Sequence, residues 1–219
     1  MEKNYFGNID TEEKAYWLGF LYADGCISKD YKHLRLDIGI IDKEHLYKFV
    51  NTIKSDNKVS IHGEDNQFIK TCICCKQMCL DLSKNGCVPN KSLILEFPNK
   101  DIVPTHLLRH FIRGYFDGDG CISHSTGMRK RPDRNINKSY PYDKWTLKFV
   151  GTKSMMEGIA YYMNMNNKLY NQISKKNHYT LKCGGKSLVK EKLDILYENA
   201  TIYLDRKYDK YKKLCSVCP

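Results

Sequence analysis

The chain of 219 residues has no apolar run near the ~18 residues that a membrane-spanning helix needs. Its opening stretch MEKNYFGNIDTEEKAY is polar and acidic, so it is not expected to act as a secretory leader. A protein that does not engage a membrane and stays inside the cell is expected. Proline is scarce, with six residues, and three of them (Pro89, Pro98 and Pro104) fall within residues 86–106. That concentration marks a linker rather than a fold element. Cys215-x-x-Cys218 has no second pair at zinc-knuckle spacing, which argues against a structural zinc there. Ten cysteines without an export signal, mostly in apolar runs such as TCICCKQMCLDL, are expected to be reduced and mostly buried thiols.

Positive charge is plentiful but unevenly placed. Residues 1–100 carry 14 Lys and Arg against 14 Asp and Glu, so the whole net charge of +11 lies in residues 101–219. A basic second half favours a polyanionic partner.

The chain also repeats itself. LGFLYADGCI at 18–27 and RGYFDGDGCI at 113–122 both run from an apolar stretch into Asp-Gly-Cys-Ile. After Asp24, HLRLDIGI alternates apolar and polar residues with the period of a half-buried strand, and KWTLKFVG does so after Asp119. Each is followed by a helical stretch, two short strands and a further helical stretch: DKEHLYKFVNTIK, KVSIH, FIKTCIC and KQMCLDLSKNG, then TKSMMEGIAYYMN, KLYNQIS, HYTLKC and GKSLVKEKLDILYENA. Two related α+β halves are therefore expected, at 1–100 and 101–219. The second carries a polar insert, STGMRKRPDRNINKSYPYD at 125–143, read as a loop, and ends in a basic helix, YLDRKYDKYKKLCSVCP.

Small residues fall four apart in both repeated stretches, Gly19 and Ala23 in one and Gly114 and Gly118 in the other. Positions four apart share a helical face, and glycine inside a helix costs about 1 kcal/mol against alanine. Close approach of two helices along these faces would offset that cost. Gly25 and Gly120 are read as left-handed helix caps. The two C-terminal ends would then lie together, each with unpaired carbonyls and a partial negative charge, and Asp24 and Asp119 would add formal charges. A divalent cation held by both carboxylates and by the carbonyls of Ala23 and Gly118 would relieve the repulsion. Mg²⁺ suits such oxygen ligands, with Mn²⁺ as the alternative.

With these features in place, the chain resembles the LAGLIDADG homing endonucleases. The nine-residue pattern of that family maps onto WLGFLYADG at 17–25 and IRGYFDGDG at 112–120, and GCVPNKS and YLDRKYDKY add to the likeness. The first copy departs from the pattern at Tyr22, where the family has an acid. The resemblance implies a monomer of two pseudo-symmetric αββαββα halves. Their antiparallel sheets would form a DNA-binding saddle, with the motif helices packed at the centre. It further implies site-specific, metal-dependent hydrolysis of both strands of duplex DNA with loss of the 3′-oxygen. The family also places a basic residue near each metal site, for which Lys70 and Lys182 are the candidates.

Strand alternation assigns side chains to the DNA face: Arg35, Asp37, Lys58, Ser60, His62 and Lys70 in the first half, and Lys144, Thr146, Lys148, Tyr170, Gln172, Thr180 and Lys182 in the second. Arg129, Lys130, Arg131 and Arg134 of the insert are candidates for phosphate contacts. Two rival readings use the same scaffold. One is a maturase that binds the RNA of a host intron, and the other is a DNA-binding regulator without cleavage. The retained acids, and the lack of a helix-turn-helix before the first motif, weigh against the regulator.

Overall fold

The computed structural model describes residues 1–130, 139–165, 169–171 (backbone course) and 176–218. At its centre lie two helices, α1 (Glu12–Asp24) and α4 (Leu108–Asp119), whose mutual contact is the most extensive between any two elements. Thr11 starts α1 by accepting a hydrogen bond from the Lys14 amide, and Glu12 and Glu13 sit where the helix dipole favours acids. Every residue from Ala15 to Tyr22 is buried, as is every residue from Phe111 to Asp117, so both helices are enclosed on all sides.

The small residues set how closely the helices approach. A Cβ at Gly19 would lie 2.0 Å from the Phe111 carbonyl oxygen, and one at Gly114 would lie 1.9 Å from that of Tyr16. A Cβ at Gly118 would meet the Ala23 methyl at 2.3 Å. Arg113, fully buried in α4, ties the helices together through Glu12 at 2.6 Å and also donates to the carbonyls of Leu196 and Ile202.

Around this pair the chain builds the same unit twice. The first is β1 (Gly25–Ile27), β2 (His33–Gly39), α2 (Lys43–Thr52), β3 (Val59–His62), β4 (Phe68–Cys74) and α3 (Lys76–Lys84). The second is β5 (Cys121–Lys130), β6 (Ser139–Gly151), α5 (Lys153–Tyr162), β7 (Leu169–Asn171), β8 (Tyr179–Gly184) and α6 (Lys186–Tyr197). A further helix, α7 (Asp205–Val217), follows. Both sheets are antiparallel, in the orders β1-β2-β4-β3 and β5-β6-β8-β7. The expected α+β class and duplicated element order are present. None of the helices among the described residues is long and apolar enough to cross a membrane.

Three expectations are corrected. Gly25 and Gly120 are extended, with φ of −71° and −92°, and are not left-handed caps. Each helix turns straight into a strand, and glycine is needed for room. A Cβ at Gly120 would sit 2.0 Å from the Phe116 ring, and one at Gly25 would sit 2.7 Å from the Leu21 carbonyl oxygen. The insert at 125–143 is not a loop throughout, because β5 runs to Lys130 and β6 begins at Ser139, paired from Ser125↔Lys144 to Lys130↔Ser139. Its polar residues suit a two-stranded ribbon with neither face in the core. The cysteines are not mostly buried: Cys75, Cys79, Cys87 and Cys183 are, but Cys26, Cys72, Cys74 and Cys121 are exposed. In β4 the alternation places Ile69, Thr71 and Ile73 inside, which turns Cys72 and Cys74 outward.

Candidate active site

Asp24 and Asp119 end α1 and α4, and the helix crossing brings these ends together. A Cβ at Gly118 would lie 3.0 Å from Asp24 Oδ2, so the Asp24 carboxylate rests against the end of the opposite helix. Burial raises the pKa of both acids above the usual carboxylate range. For Asp24, burial followed by the charge of Asp119 takes it to about 6.

Two cavities flank the acids. The one at Asp24, of about 230 Å³, is lined by Asp37, Ile38, Gly39, Asp42, Phe68, Gly118 and Arg206, among others. The one at Asp119, of about 180 Å³, is lined by Ala23, Lys91, Val150, Gly151, Thr152 and His178, among others. Each acid therefore shares its cavity with the penultimate residue of the other helix. The sheet registers make the cavities equivalent. Cys26 pairs with Arg35 and Arg35 with Cys72, while Cys121 pairs with Lys148 and Lys148 with Lys182. Asp37, Ile38 and Gly39 thus correspond to Val150, Gly151 and Thr152, and Phe68 corresponds to His178.

The same registers separate the two lysines expected near the acids. Lys182 corresponds to Cys72, and Lys70 corresponds to Thr180, so Lys70 and Lys182 are not symmetry partners. Two other lysines are held at the helix ends. Lys91, 7% exposed, donates from Nζ to the carbonyl of Gly25 and, at 3.3 Å, to that of Ala23. Lys207, 2% exposed, donates to the carbonyls of Phe116 at 2.5 Å, Asp117 at 2.7 Å and Gly118 at 3.4 Å. Burial lowers the Lys207 ammonium to about 8, against the pull of Asp117, Asp24 and Asp119. Sequence reasoning missed both residues, although they lie in GCVPNKS and YLDRKYDKY, the segments that supported the family likeness.

Second contacts anchor the chain that carries each lysine. Tyr22, the departure from the family pattern, donates its hydroxyl to the Asn85 carbonyl at 2.6 Å, just ahead of Lys91. At the matching place in α4, Asp117 accepts from the Tyr197 hydroxyl at 2.5 Å, the Tyr16 hydroxyl at 2.7 Å and the Leu204 amide at 2.8 Å, just ahead of Lys207.

Half-buried acids with raised pKa values beside helix-end carbonyls offer hard oxygen donors that fit a divalent cation.

The sheet faces turned away from the helices carry the other candidates. Arg35, Lys58, Ser60, Lys144 and Lys182 are exposed, while Lys70 and Lys148 are half-buried. Asp37 and His62 are paired at 2.9 Å. Thr146 and Thr180 lie on this register but are buried, 7% and 9% exposed. Arg129 and Lys130 lie on β5, and Tyr170 lies on β7, paired with Thr180. Gln172, Arg131 and Arg134 lie outside the described residues.

The chain matches no family model and no curated protein sequence. Solved structures share its fold. A lysine-to-alanine mutant of I-SmaMI superposes with a TM-score of 0.65 at 13% identity, over 93% of this chain and 89% of that one. The LAGLIDADG meganuclease I-AabMI, bound to uncleaved DNA, gives 0.61 at 16% identity, over 92% and 89%. The LAGLIDADG homing endonuclease I-LtrWI, bound to target DNA, gives 0.62 at 12% identity, over 93% and 90%. The fold is that of the LAGLIDADG meganucleases.

Proposed function

We propose that the protein is a site-specific, divalent-metal-dependent DNA endonuclease of the homing type, cutting both strands of a duplex. The observation that carries this reading is the meeting of two half-buried acids at abutting helix ends, each with a buried lysine on its own helix's terminal carbonyls. Solved structures of the same fold bound to DNA support it. One chain supplies both acids, so a monomer with halves at 1–100 and 101–219 suffices.

In this reading Asp24 and Asp119, with the carbonyls of Gly118 and Ala23, hold Mg²⁺ or Mn²⁺. When bound, the cation supplies Lewis-acid chemistry at the scissile phosphate and its attacking water. Lys91 and Lys207 present fixed positive charge where the reacting phosphate gathers negative charge. Fixed charge stabilises such a transition state without reorganisation. The outward strand residues meet the bases and backbone. Arg35, Lys58, Lys70, Lys144, Lys148 and Lys182 serve as phosphate or base-edge donors, and Ser60 and the Asp37–His62 pair offer mixed donors and acceptors. Arg129 and Lys130, at the far end of the β5–β6 ribbon, extend the contact along the phosphates.

The test is incubation of the protein with a randomised duplex library and Mg²⁺, followed by sequencing of cut ends. A single recovered site with breaks in both strands is expected. Duplex binding without cuts in Mg²⁺ or Mn²⁺ would leave a non-cleaving regulator, and selective binding of structured intron RNA would leave a maturase.

A further inference from the structure

The outward face of the first sheet carries a feature that the proposed nuclease does not use. His33 and Cys74 are directly opposed in the β2–β4 ladder, and Cys72 lies two residues along β4 on the same face. His33 Nδ1 is 3.2 Å from Cys74 Sγ, and the three potential ligand atoms of His33, Cys72 and Cys74 all lie within 4.8 Å of one another. Among the described residues they are the one group of three His, Cys, Asp or Glu side chains so arranged. Both thiols are free and exposed.

We propose that His33, Cys72 and Cys74 form a binding site for a thiophilic divalent cation, Zn²⁺, separate from the acids at the helix ends. Zinc takes thiolate at about 2.3 Å and imidazole at about 2.0–2.1 Å in a tetrahedron. Two sulfurs in that geometry stand about 3.8 Å apart, a spacing reached here by small side-chain rotations. Alternation along β4 keeps Cys72 and Cys74 on one side of Ile73, and the ladder fixes His33 opposite, so no backbone movement is needed. Two thiolates and an imidazole select zinc over Mg²⁺, which prefers oxygen. Arg35 pairs with Cys72 across the ladder. The fourth position opens away from the sheet and is left to water. This site does not depend on the nuclease reading.

The experiment is titration of the reduced, full-length protein with Co²⁺ as the spectroscopic probe, followed by displacement with Zn²⁺. The expected result is one equivalent of Co²⁺ showing thiolate-to-cobalt absorption in the near ultraviolet, erased by one equivalent of Zn²⁺. Cys72→Ser with Cys74→Ser should lose the absorption. Since both side chains are exposed, the thermal midpoint of that variant should not change. Cys215→Ser with Cys218→Ser should keep the absorption, and His33→Ala should need more Co²⁺ to reach it. Absence of the band in the parent protein would overturn the proposal. So would a band that survives Cys72→Ser with Cys74→Ser, or one lost with Cys215 and Cys218.

Discussion

The Asp24 half and the Asp119 half present the same acid from the same kind of helix end, yet their surroundings differ in charge. The Asp24 cavity holds three further acids, Asp37, Asp42 and Asp117, with Arg206 bound to Asp42 at 2.7 Å. The Asp119 cavity holds Lys91 and His178 instead. The lysine-bearing segments are also anchored differently. In the first half a neutral Tyr22 makes one hydrogen bond to Asn85 at the end of α3, whereas in the second a buried Asp117 gathers three donors. Outside the site, the first half is neutral and carries three of the four exposed thiols, while the second holds the net charge. Duplication has preserved what the helix crossing dictates, namely the glycines, the terminal acids and a lysine on each set of carbonyls. Within the shared scaffold, the side chains lining the two cavities differ.

The first way to break this comparison is at the crossing itself. Gly19→Ala and Gly114→Ala should each destabilise the protein by about 3 kcal/mol or more, at the top of the overpacking range, because the new methyl meets backbone rather than a movable side chain. Matching shifts in the denaturation midpoint would show that the crossing is symmetric. A small shift in one variant would show that it is not.

The anchors should respond unequally. Asp117 receives three donors and needs an acceptor-only group, so Asp117→Asn, which turns an amide hydrogen against one of them, should cost about 3 kcal/mol. Tyr22→Phe removes one neutral hydrogen bond and should cost about 1 kcal/mol. Chemical denaturation measures both, and equal costs would contradict the asymmetry.

The raised Asp24 carboxyl predicts an effect of pH. The folded state holds its proton up to about pH 6, against 3.8 for the ordinary group. The folded protein therefore binds more protons than the unfolded chain between those values, and stability from this group falls as pH rises through that window. Without divalent cations, Asp24→Asn should be more stable than the parent at pH 7 by about 1–3 kcal/mol, an upper bound set by a shift of about two units. The difference should fade near pH 4, and thermal melts across that range measure it.

The smallest expected effect lies in the charge imbalance. Neutralising Arg129, Lys130, Arg131 and Arg134 should make the slope of log affinity against log salt shallower by up to about 3.6, at roughly 0.9 per phosphate contact. The preferred sequence should stay unchanged, because phosphate contacts position rather than specify. Binding titrations at several salt concentrations measure the slope.

Much of the scaffold was legible because it rests on local pattern. Alternation in HLRLDIGI and FIKTCIC placed β2 and β4 to within a residue. The four-residue spacing of Gly19 and Ala23, and of Gly114 and Gly118, identified the crossing before any contact was visible. The lysines were not legible for a physical reason. Lys91 and Lys207 reach the acids from chain segments far along the sequence, and a lysine bound for a buried carbonyl looks in sequence like any solvated one. Strand lysines drew attention instead, because their alternation could be counted. Alternation also showed that Cys72 and Cys74 share a face, but only the β2–β4 register could place His33 opposite them.

The most direct test of the two-acid account is strand-resolved cleavage of the recovered target. Asp24→Asn and Asp119→Asn are compared with the parent protein in Mg²⁺, with each DNA strand separately labelled and duplex binding measured in parallel. The account predicts that both variants bind the target and that neither makes a double-strand break. Cleavage of both strands at the parent rate by either variant would contradict it.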